Sequence, residues 1–149
     1  MHPFDPKVVL LAKHAQHVVL VHFPIALFLT GVLCDLWSHW GKKAALKAAA
    51  QFNLQAAAIM ALPVLVTGIL AWQWQLGGRR LKGVLLMHFT LGLFSVALCW
   101  LVVALRSREW KKANSVLPAF HGALELAAVV VVALTGHLGG FVSGVNLPG

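Results

Sequence analysis

Eight histidines are many for a chain of 149 residues. Five of them, His17, His22, His88, His121 and His137, lie in or at the edges of long apolar runs. An ionisable side chain inside a bilayer is costly, which makes a functional role its default reading. Imidazole is a good iron ligand. Two imidazoles facing each other across a helix bundle can hold a planar macrocycle from both sides. Such a pair leaves no open coordination position, which suits electron transfer.

Depth sorts the histidines. At about 1.5 Å per residue, His22 lies about 10 Å into the first apolar run and His88 about 8 Å into the third. If these runs are helices in one up-down-up-down bundle, the two residues sit at similar depth on diagonal helices. The expectation is a b-type haem with His22 and His88 as axial metal ligands. His137 ends the fourth run on the same side, within about a turn of the interface. It is expected to substitute for His22 or to bond a haem propionate.

At 100° per residue, His88, Gly92, Ser95 and Cys99 fall on one stripe. Small residues there either let a porphyrin approach the backbone or serve helix packing. Both readings stand at this point. On the first run His22 shares a face with Ala26, Leu29 and Leu33. Pro24, Phe28, Gly31, Asp35 and His39 lie on another face, roughly 140° away. His22 and Asp35 can both point inward only if Pro24 distorts the helix.

A second polar cluster is expected at the opposite side of the membrane. Asp35 and His39 are four apart, and so are His121 and Glu125. Two acids and two histidines at one depth could bind a quinone headgroup, relay protons or ligate a metal. The plainer alternative is mutual neutralisation and hydrogen bonding between helices. A second bis-histidine haem would have to use His39 and His121.

The elements that position these residues are membrane spans. Hydrophobic residues make up 60% of the chain and charged residues 11%, against roughly 25% charged in soluble domains. So few polar groups cannot cover a soluble fold of this size. His14 to Cys34 carries no Lys, Arg, Asp or Glu, enough to cross about 30 Å of hydrocarbon. The spacing predicts one all-α transmembrane domain over 1–149, with spans at about 15–40, 48–76, 83–105 and 116–138. Pro63 is a kink in the second span, and Pro118 falls in the first turn of the fourth. Met1 to Lys13 reads as a polar lead-in, and the Gly-rich tail from Gly139 leaves the bilayer. The first run is expected to remain as an anchor.

The net charge of +8 comes from basic loops between the runs, which fits membrane flanks and not nucleic acid. Seven positives flank one side, Lys42, Lys43, Lys47, Arg106, Arg108, Lys111 and Lys112, against five on the terminal side. That asymmetry favours both termini outside, with the first and third connections cytoplasmic. Cys34 and Cys99 form no CxxC or CxxCH and read as small hydrophobes. No P-loop, dinucleotide fingerprint or nucleophile–base pair is present, which argues against nucleotide-dependent and hydrolytic enzymes.

Val21-His22-Phe23-Pro24-Ile25-Ala26-Leu27 resembles the signature of the domain-of-unknown-function family 2231 of bacterial membrane proteins. Leu62-Pro63 to Thr67-Gly68 to Trp72, the Arg79-Arg80 to His88 spacing, and Thr135-Gly136-His137-Leu138-Gly139-Gly140 with Gly144-Val145-Asn146 look similar too. The chain departs from the family pattern at Ala15 and Val18, where His-Pro pairs are usual, and at Ala71, where an acid is usual. The resemblance implies four helices and a relation to membrane b-type cytochromes, with His22 and His88 as recurrent intramembrane histidines. The resulting expectation is a haem b protein for electron transfer, a carrier or accessory subunit more than a stand-alone enzyme. Its partners would be lipid and other membrane redox subunits or a c-type cytochrome. The alternative is a structural subunit of a larger membrane complex.

Overall fold

The protein was analysed as a computed structural model, which describes residues 15–41, 43–110 and 119–144. Among the described residues there are five helices: α1 (Ala15–Leu20), α2 (His22–Gly41), α3 (Ala44–Trp74), α4 (Gly83–Trp110) and α5 (Ala119–Val142). Together α1 and α2 form the first of four helical segments long and apolar enough to cross a membrane. The expectation of an all-α bundle of four spans is met, and no strand occurs among the described residues.

Local chemistry sets the breaks. Pro24 has no N–H to give the Leu20 carbonyl, so the ladder is interrupted one turn before it. The helix is interrupted at Val21, and the neighbouring bond from Ile25 N to Val21 O stretches to 3.5 Å. The second span continues through Pro63, as membrane helices allow. After it, Gly77 and Gly78 adopt positive φ, which side-chain-bearing residues rarely tolerate. The Trp72 indole N–H pins this turn by donating to the Arg79 carbonyl at 2.9 Å.

The connections are short and the bundle runs up-down-up-down. Each span packs on its sequence neighbour, α2 closes the ring on α5, and the first and third spans are diagonal. All four spans supply the core, through Phe28 and Val32, Leu54, Val102, and Val132. The inner face of α3 carries Ala50, Ala57, Ala58 and Ala61. Small residues there let backbones approach, the main source of contact where lipid is as apolar as the side chains. A Cβ at Gly31 would lie 2.8 Å from Leu54, so α2 and α3 can pack this tightly only with glycine there. Trp37, Phe52, Ile59, Phe94 and Val130 face outward, where the hydrocarbon would lie.

Boundaries differ from the sequence reading in ways that matter. The second span begins at Ala44, and the fourth continues to Val142. The third runs past Leu105 to Trp110, which takes Arg106 out of the basic loop and into the bundle. The lead-in, Pro118 and the start of the fourth span at 116 lie outside the described residues. Cys99 is buried and Cys34 half-buried, and both are free thiols.

Candidate functional site

Toward the terminal side the bundle opens into a cavity of about 510 Å³ bounded by all four spans. Ligand sites commonly measure about 300–1,000 Å³ and are mainly apolar with a few fixed polar groups. The fixed groups here are two half-buried histidines. His17 enters from α1 and His88 from α4, with ring centroids 6.5 Å apart and planes 77° apart.

Each ring is tied down through Nδ1. His17 Nδ1 lies 3.2 Å from the Val64 carbonyl and 3.3 Å from the Thr67 hydroxyl on α3. His88 Nδ1 lies 3.1 Å from the Thr135 carbonyl on α5. An Nδ1–H donating to a carbonyl leaves the Nε2 lone pair for a ligand, the usual support of a metal-binding histidine. Glycines make room for both rings. A Cβ at Gly68 would stand 3.0 Å from His17 Cε1, and one at Gly139 would stand 3.1 Å from His88 Cε1.

The stripe of His88, Gly92, Ser95 and Cys99 lines this cavity. It also packs on α5, since Ser95 and Thr135 share a hydrogen bond of 2.9 Å. Both sequence readings of the stripe therefore describe part of its surroundings.

His22 is not the residue that faces His88. It reaches the edge of the cavity, but it is exposed and its Nδ1 lies 2.7 Å from the Val18 carbonyl of its own helix. The helix is interrupted before Pro24, yet His17 keeps the face of Pro24, Phe28 and Asp35, as an unbroken helix would also place it. Depth alone favours His22 and misses His17. The available signal was this spacing, which puts His17 and Asp35 about five turns apart on one face. His137 is also exposed, with its ring edge-on to Phe141 at 5.1 Å, and it does not line the cavity.

The second polar cluster is real but differently composed. Arg106 from α4 donates to Asp35 from α2 and lies 3.3 Å from Glu125 of α5. Relative exposure is 0% for Asp35, 2% for Arg106 and 1% for Glu125. Two carboxyl groups and one guanidinium from three helices are thus withdrawn from solvent together. His39 is near but bonds backbone, with Nδ1 2.7 Å from the Asp35 carbonyl. Ser38 donates to the same carbonyl at 2.7 Å. His121 buries an Nδ1 that has no hydrogen-bond partner among the described residues. Among the described residues no three His, Cys, Asp or Glu side chains converge as a metal-ion site. Sequence reasoning found both acids and missed Arg106, because a basic residue following an apolar run looks like a loop.

A family model described as "Predicted membrane protein (DUF2231)" matches residues 13–145. No curated protein and no solved structure matches the chain.

Proposed function

The chain belongs to the DUF2231 family of predicted membrane proteins, and from that footing we propose a b-type haem protein that passes single electrons, in which His17 and His88 would hold the haem iron. One observation carries this reading: the two rings, from different spans, line one mainly apolar cavity with their centroids 6.5 Å apart. Each has Nδ1 against a backbone carbonyl, which would leave Nε2 for the iron.

The donor set points the same way. A bare transition-metal ion held by two imidazoles lacks further protein ligands, whereas a porphyrin brings four nitrogens of its own. Bound there, haem would supply a one-electron iron couple. The Val64 carbonyl and Thr67 would hold the tautomer of His17, and the Thr135 carbonyl that of His88. The apolar walls, among them Ile25, Leu65 and Phe89, would exclude water and lower the local dielectric, a principal control on potential.

We assign the protein to the bacterial inner membrane with periplasmic termini. With Arg106 withdrawn from the loops, six positives oppose five, still in that direction. The histidine cavity then lies toward the periplasmic face. A c-type cytochrome or a membrane redox subunit docking there is the expected electron partner. The reduced-minus-oxidised visible spectrum of the purified protein tests the reading. Paired haem bands that vanish in His88→Ala support it. A colourless protein expressed with ample haem supply refutes it.

A further inference from the structure

The Asp35, Arg106 and Glu125 cluster plays no part in the proposed haem site and lies at the other end of the spans. Its charges do not balance as ordinarily drawn. Two carboxylates and one guanidinium leave one negative charge uncompensated, and the three side chains are at most 2% exposed. An uncompensated charge in a dry bundle costs several kcal/mol. Such groups neutralise instead.

The hydrogen bonding has the same imbalance. Asp35 Oδ2 and both Glu125 oxygens form no hydrogen bond among the described residues, Glu125 meeting Arg106 only as an ion pair. Yet both carboxyl groups converge on that one guanidinium, Asp35 at Nη2 and Glu125 at Nε. Two carboxylates are both acceptors, whereas a protonated carboxyl is also a donor. One proton therefore removes the excess charge and supplies the missing donor.

We infer that Asp35 and Glu125 hold one proton between them, and that this site exchanges it with the nearer membrane surface past His121. His121 is one turn from Glu125 on the same face of α5, and its buried Nδ1 has no partner among the described residues. The proton leaves only transiently. With the His121 ring turned toward it, a carboxyl gives its proton to Nδ1 while Nε2 loses one to water. The two carboxylates, sharing one guanidinium, then recapture a proton by the reverse path. The other groups at this level are His39 on α2, and Arg108 and Glu109 further along α4. The buried face of α3 here is Ala50, Leu54 and Ala57, with Lys47 at its outer end.

Infrared spectroscopy of the full chain in lipid tests this. Labelling Asp and Glu carboxyl carbons with ¹³C should shift the carbonyl stretch of a protonated carboxylic acid at neutral pH. Asp35→Asn and Glu125→Gln should each abolish that band. A folded wild-type protein with no such band, or a band persisting in both variants, overturns the inference. Hydrogen–deuterium exchange of the band should slow in His121→Phe. An unchanged exchange rate overturns the route while leaving the shared proton. None of these readouts depends on haem.

Discussion

Arg106 donates to Asp35 from the diagonally opposite span, and neither side chain is more than 2% exposed. The pair ties the first span to the third, and Glu125 extends it to the fourth. Three helices are thereby tied together at one end of the bundle. Buried ion pairs add modest net stability against an apolar replacement, but breaking one is costly.

Arg106→Met leaves two buried acids without their cation. We expect a loss of about 3–5 kcal/mol in unfolding free energy in detergent. Adding Asp35→Asn and Glu125→Gln to Arg106→Met should recover most of that loss. Equal stability of Arg106→Met and wild type would mean that the cluster does not clamp the bundle.

Gly139 gives a prediction about fit. A methyl at this position meets His88 Cε1 at 3.1 Å, close enough to push the ring from its bond to the Thr135 carbonyl. Gly139→Ala should therefore weaken haem retention, with an overpacking cost of about 1–3 kcal/mol in stability. Gly122→Ala, on the same helix but at the far end, should leave the visible spectrum unchanged. Spectra of the two variants at matched protein concentration decide the point.

Pro24 interrupts the ladder between α1 and α2, yet His17 keeps the face of Phe28 and Asp35. Pro24→Ala restores an N–H for the Leu20 carbonyl, and a continuous helix still leaves His17, about five turns before Asp35, on the inner face. Haem occupancy in Pro24→Ala should therefore stay at the wild-type level. A marked loss would show that the break is what aims His17.

Much of this was legible from residue types alone. Four charge-poor runs longer than the hydrocarbon thickness leave few alternatives to four spans. The small-residue stripe below His88 follows from 100° periodicity. What the sequence concealed has two physical causes. The histidines were ranked by depth and not by face, whereas His17 shares the inner face of Phe28 and Asp35 and His22 does not. Arg106 was placed by charge in a loop, whereas two buried acids draw it into the bundle.

The central claim is most directly tested by the reduced-minus-oxidised visible spectrum of His17→Ala beside His22→Ala, each purified from membranes with wild type as reference. The account predicts that wild type and His22→Ala carry the bands of a six-coordinate b-type haem and that His17→Ala loses them. Loss in His22→Ala with retention in His17→Ala would contradict the assignment of ligands. Absence of haem bands from wild type would contradict the function itself.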